Sequence, residues 1–270
     1  MTPGNSTLEP IQGSGWSRGL GNHLKGELER WFGSRKWWTQ ILIFAVLING
    51  FLLLLANSPR GLDLEDGVGF LNGLLGVIGA IGGVILVQGA LVGEKNSGTA
   101  AWVLSKPISR PAFFLAKLIA NAIGTIVTIT LTQGLIGYLI LYVGLDTAPA
   151  LPAFLAGLAP QIVHMLFYLT LTLMLGAIFD RRGPVLAIPI IPLLFVDELL
   201  PAVTSPALLD VLKEILPIGL ATGYENAAPS IAGSLMLGDQ PYSLAPIFWT
   251  MVFSALFVAI GLWFLDRQEF

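Results

Sequence analysis

The chain has no cysteine, which excludes disulfides and thiolate metal sites. It is poor in charge: Asp, Glu, Lys and Arg make up 11% of its 270 residues, where a soluble domain carries roughly a quarter. Its two histidines, His23 and His164, are too few for a His-Glu-x-x-His metalloprotease motif or a histidine metal cluster. None of its six lysines follows a glycine, so it has no Gly-x-x-x-x-Gly-Lys-Ser/Thr loop to cradle nucleotide phosphates. No catalytic residue, no metal site and no nucleic-acid partner is expected. No carboxylate stands at the middle of a clear apolar span, which argues against an ion-coupled secondary transporter.

What the chain has is apolar length. Hydrophobic residues make up 54% of it, and mean hydropathy is +0.78. A bilayer core takes about 20 apolar residues per helix, and the pattern predicts six spans, near 39–56, 69–92, 116–143, 153–179, 184–196 and 244–265. The fifth is short and contains Pro189 and Pro192. It either extends through Asp197-Glu198 to Leu200 or is completed by re-entrant pieces buried against protein. The second is rich in glycine, with Gly69, Gly73 and Gly76 on one face and Gly79, Gly82 and Gly83 on another. Small faces of this kind let membrane helices approach closely.

Residues 1–16, rich in Gly, Pro, Ser and Thr, read as a mobile tail. Residues 1–38 hold no apolar run of signal-peptide type, so a cleavable leader is not expected. Residues 17–38 have helical periodicity, with Leu20, Leu24, Leu28, Trp31, Phe32 and Trp38 within about a third of the wheel. That pattern describes an amphipathic helix lying in the headgroup layer or packed on the bundle, with His23 turned to solvent or headgroups. Residues 39–270 form the membrane domain, and short outer helices are expected between spans five and six.

The most polar internal stretch, Gly93 to Lys117, lies between spans two and three. Ser97, Gly98 and Thr99 can start a short helix through Trp102 and Leu104, which Pro107 ends. Ser109 then caps the next helix, with Pro111 in its first turn. Glu94-Lys95, Gly98-Thr99, Leu104-Ser105-Lys106-Pro107-Ile108-Ser109-Arg110 and Lys117 resemble the corresponding loop of ABC-2 type transporter permeases. The resemblance implies a cytosolic coupling helix that docks on a separate ABC ATPase through Glu94, Lys95, Gly98, Thr99, Trp102, Leu104, Ser105, Lys106, Pro107 and Arg110. It implies two ATPase copies, which hold ATP and Mg, and a second permease subunit in a homodimer or heterodimer. The fold expected is all-α, with six spans and an interfacial helix preceding the first.

Charge fixes the expected orientation. With the N-terminus inside, 12 of the 14 basic residues fall on inner segments, leaving Arg60 and Lys213 outside. Basic residues in short loops set topology, so both termini are expected in the cytoplasm, the protein being multi-pass in the inner (plasma) membrane. Five polar residues inside spans are candidates for a pathway or for interhelical hydrogen bonds: Asn49, Gln88, Asn121, Gln133 and His164. The function expected is the permease of an ATP-driven transporter, an exporter of a hydrophobic or amphipathic substrate in contact with membrane lipid. The alternatives are a membrane scaffold or sensor on the same fold and, less favoured, an ion-coupled carrier.

Overall fold

In lipid every backbone polar group must be satisfied internally, which leaves a chain this apolar the helix. The computed structural model describes residues 15–58, 62–145, 147–222 and 230–268, with the backbone alone at 196–203, 206, 207 and 209. Among the described residues there is no strand. Most of the expected N-terminal tail falls outside them; its described end, Gly15–Ser17, is a single 3-10 turn.

The helices in chain order are α1 (Leu20–Phe32), α2 (Lys36–Ala56), α3 (Leu64–Asn96), α4 (Thr99–Leu104), α5 (Arg110–Gly144), α6 (Leu151–Ile178), α7 (Arg182–Val203), α8 (Pro206–Ile215), α9 (Ile218–Ala221), α10 (Ile231–Leu237) and α11 (Ala245–Arg267). Five of them, α2, α3, α5, α6 and α11, are long and apolar enough to cross a bilayer. The fifth expected span is α7. Its backbone stays helical past Asp197 and Glu198, so the prolines do not break it into separate pieces, although its described apolar run covers only Arg182–Phe195.

The amphipathic helix is shorter than its periodicity predicts. It ends at Gly33, whose N–H donates to the Glu29 carbonyl at 2.7 Å, and a Cβ at Gly33 would stand 2.4 Å from that oxygen. Trp37 and Trp38 therefore belong to the first turn of α2. The second span begins earlier than hydropathy suggests, because Asp63 caps it by accepting from the Asp66 N–H at 2.8 Å. Glu65 and Asp66 then sit in the first turn, where negative charge suits the helix dipole.

The core is centred on α6. Its Phe154, Leu158, Met165, Leu169 and Leu173 pack against Leu71, Leu75 and Leu91 of α3 and Phe113, Phe114 and Ile129 of α5. Two-thirds of the apolar window of α6 is buried against 11% for α11, which leaves α11 a peripheral helix with most of its surface for lipid or another subunit. The glycines of α3 divide by role. A Cβ at Gly82 would lie 2.2 Å from Phe44, and one at Gly83 2.7 Å from the Met165 sulfur; these permit close helix contact. Gly69 and Gly73 face nothing within 4 Å and mediate no packing inside this chain.

Both α2 and α5 contain a π-helical turn, at Ala45–Asn49 and Ile126–Leu131. Such turns free carbonyls from the regular ladder, and side chains take them up. Gln133 Nε2 donates to Thr128 O at 3.0 Å and to Ile41 O at 3.1 Å, while Thr132 Oγ1 donates to Val127 O at 2.6 Å.

Candidate functional site

The end of the bundle that carries α1 and α4 is also where the basic residues gather. His23, Glu27 and Arg30 recur at helical spacing on one face of α1, and the side of the helix turned inward is the one with His23, Glu27 and Trp31, Arg30 standing at its exposed edge. That side lies against Phe113, Lys117 and Gly124 of α5. Gly124 is what permits the approach: a Cβ there would stand 2.0 Å from the Trp31 ring. The rest of the apolar stripe, Leu24, Leu28 and Phe32, borders an open groove.

Lys117 is 1% exposed. Its Nζ donates to Glu94 Oε1 at 2.7 Å and to Glu27 Oε1 at 2.9 Å. Arg30 also donates to Glu94 Oε1, at 2.9 Å, and lies 3.3 Å from Glu27 Oε1. Two acids and two bases thus neutralise one another where three helices meet, the condition under which charge is tolerated out of water. The ring of Phe113 completes the enclosure, with Lys117 Nζ 5.0 Å above it and His23 stacked on it at 5.3 Å. His23 is therefore not a solvent-facing residue. Burial holds its imidazole below the ordinary pKa; Lys117 and Arg30 push the same way, and Glu27 and Glu94 oppose them. Its Nε2 is 3.5 Å from Glu27 Oε1.

The loop residues named from the sequence divide into two groups. Glu94, Lys95 and Arg110 are turned into the bundle. Lys95 Nζ meets Asp180 Oδ1 at 2.8 Å and the Ala177 carbonyl at 3.1 Å, holding the end of α6. Arg110 donates to the carbonyls of Leu265 and Asp266 at the end of α11. Both cations sit at helix C-termini, where the dipole favours them. The second group faces out. Gly98 starts α4 in the left-handed conformation, at φ 72°. Trp102 is 62% exposed, and Lys106 Nζ stands 3.4 Å from its ring centre. Ser105 and Pro107 are exposed beside them and Thr99 is half-buried, while Leu104 packs against the core.

The base of this loop is tied down on every side. Ser109 caps α5 by accepting from the Ala112 N–H at 3.2 Å, its hydroxyl donates to the Trp16 carbonyl, and its N–H donates to Arg18 O at 3.1 Å. Gly15-Trp16-Ser17-Arg18-Gly19 has the spacing of a Gly-x-Ser-x-Gly nucleophile elbow. It forms a 3-10 turn that no described strand precedes, so the geometry of an elbow is missing.

The polar residues inside the spans act mostly on one another. Asn49 Nδ2 donates to Gln133 Oε1 at 2.9 Å, joining α2 to α5. Asn121 bonds within its own helix, to Lys117 O at 2.7 Å. The Gln88 side-chain oxygen is buried without a hydrogen-bond partner. His164 Nδ1 lies 3.0 Å from Pro217 O and Nε2 3.3 Å from Gly76 O; a neutral ring has a proton for one of them. Sequence reading missed Asn72, which accepts from Gln161 Nε2 at 2.7 Å. It also missed the burial of Glu27 and Lys117. The spacing of His23, Glu27 and Arg30, and a lone lysine two turns into a span, were the available signs.

Among the described residues no group of His, Asp and Glu is placed to hold a metal ion. Comparison with curated proteins finds none that matches. The family described as ABC-2 family transporter protein matches residues 54–269. That range takes in α3 to α11 and both helices joined by the loop, and the chain is accordingly a multi-pass membrane permease that belongs to the ABC-2 transporter family.

Proposed function

We propose that this permease is driven by a separate ABC ATPase that grips α4. Members of the family generally work with such a partner. The observation that carries the reading is the contrast within the loop: Trp102 projects from a short helix and Lys106 from the bend after it, while Glu94, Lys95 and Arg110 on either side are held by charge. An exposed aromatic under a stacked ammonium is the kind of anchor that dominates a protein interface. Behind it, Glu94 and Lys117 join the end of α3 to α5, Glu27 and Arg30 join both to α1, and Arg110 joins α5 to α11. A push on α4 is thereby delivered to four helices at once. Coupling of ATP to the bundle then requires only that α4 make different contacts in the two ATPase states.

On this reading the α1 and α4 end is cytoplasmic and the membrane is the inner one. Two ATPases and a second permease complete the assembly, and a hydrophobic or amphipathic substrate is exported. The largely uncovered faces of α2 and α11 are available to lipid and to that second subunit.

The test is co-purification with the cognate ABC ATPase. Trp102→Ala combined with Lys106→Glu should weaken retention of the ATPase at least about tenfold, in line with loss of an aromatic hot spot. The melting temperature should not move, because both side chains are exposed. Undiminished retention and undiminished substrate-stimulated ATP hydrolysis in that variant would overturn the proposal.

A further inference from the structure

Between α1, α3 and α5, beside the charge cluster, lies a cavity of about 290 Å³. Two atoms of residues that line it are buried without a hydrogen-bond partner: Glu94 Oε2 and Trp31 Nε1. The other Glu94 oxygen already receives Lys117 and Arg30. An unpaired buried carboxylate oxygen and an unpaired indole N–H on one cavity need an explanation. One wants a hydrogen-bond donor, best a charged one, and the other an acceptor. Arg30, its side chain 64% exposed at the rim, offers a guanidinium suited to phosphate.

The walls say more. Gly89 and Gly93 lie along α3, and a Cβ on either would meet only the Arg182 guanidinium, at 3.6–3.9 Å. These are ordinary contact distances, so both glycines seat the Arg182 side chain of α7 against α3 beside the cavity. On the other side Leu86 and Ala90 give the cavity an apolar wall that leads along α3 toward the spanning part of the bundle. The cavity stands within the last turns of α3, where a bilayer places its headgroups.

We propose that this cavity binds the headgroup of a membrane phospholipid that carries a primary ammonium, of the phosphatidylethanolamine type. The ammonium donates to Glu94 Oε2, a phosphate oxygen accepts from Trp31 Nε1 and Arg30, and the acyl chains leave past Leu86. Phosphatidylcholine has no N–H to give, and phosphatidylglycerol has no cation for the carboxylate.

Native mass spectrometry of the full chain, released from nanodiscs holding equal parts of phosphatidylethanolamine, phosphatidylcholine and phosphatidylglycerol with matched acyl chains, tests this. Phosphatidylethanolamine should be retained about tenfold over the other two, the value of one charge-assisted hydrogen bond. Ala90→Leu adds bulk to a residue that lines the cavity at little cost to the helix and should abolish the preference while the thermal melt stays cooperative. Trp31→Phe removes the donor and keeps a ring, and should reduce the preference about fivefold. Equal retention of the three lipids, or a preference untouched by both variants, would overturn the assignment. So would free phosphoethanolamine binding as tightly as the lipid, since that would make the ligand a soluble one.

Discussion

Replacing Lys117 by methionine should release α1 from the bundle. The substitution keeps the length of the side chain and its contact with Phe113 but removes the ammonium. Glu94 and Glu27 each lose a short charge-assisted bond worth about 1.5–3 kcal/mol. They are left close together with one shared cation, Arg30, whose side chain is 64% exposed and so holds them through solvent-screened charge. Breaking a buried pair by removing one partner costs about 3–5 kcal/mol, or roughly two to three-and-a-half powers of ten in the docking equilibrium. Hydrogen–deuterium exchange of the amides in α1, followed by mass spectrometry, reads that equilibrium directly. Exchange across Leu20–Phe32 should accelerate by about two orders of magnitude or more, while the core of α6 keeps its protection. Adding Glu94→Gln to Lys117→Met removes one stranded charge and should recover more than half of the loss, since the two residues share a bond and their effects cannot add. Lys106→Met, on the exposed face of the loop, should leave exchange unchanged. If α1 exchanges at the same rate with and without Lys117, the charge cluster does not hold the helix, and the route from α4 to α1 fails with it.

Acid should loosen the same contact. Because the docked His23 has a lowered pKa, the undocked form binds more protons below about pH 6.5. Docking is therefore fully supported above that pH and weakens as pH falls through the window beneath it. Exchange in α1, corrected for intrinsic rates, should rise between about pH 7.5 and 5.5, and His23→Leu should flatten the rise. Gly82→Val, which drives a methyl into Phe44, should destabilise by about 1–3 kcal/mol in a thermal melt, whereas Gly73→Val, facing open space, should be near neutral. Gln133→Leu takes partners from Asn49, Thr128 and Ile41 and should cost about 1–2 kcal/mol; adding Asn49→Leu should restore part of it, again by thermal melt.

Local features were legible in the sequence, and long-range ones were not. Ser109 with Pro111, and Gly98 before Thr99, specify helix starts through the backbone needs of one turn, so a short window contains all the information. The long apolar runs of α2, α3, α5, α6 and α11 identify themselves because lipid demands an apolar surface along a whole helix. Gly33 was hidden by a periodicity that continued past it into α2. The facing of α1 was not legible for a deeper reason. Its amphipathic pattern says which side avoids water, but Glu27 is buried because Lys117 neutralises it from 90 residues away, and Arg30 is held beside it by Glu94 from 64 residues away. A single helix carries no record of charge supplied by its neighbours. Lys95 and Arg110, expected at the coupling loop, also close the ends of α6 and α11, contacts that the loop alone does not record.

The irregular turns at Ala45–Asn49 and Ile126–Leu131 lie midway along α2 and α5, and Asn49 of the first bonds Gln133 just past the second. A turn of this kind stores one surplus residue, and passing it along the axis turns only the residues it passes, by about 100°, while both ends of the helix keep their register. Each helix thus carries a movable step near its middle. Side chains there can trade the face they present while both ends stay seated, so this bundle has a way to reshape its interior without loosening either end.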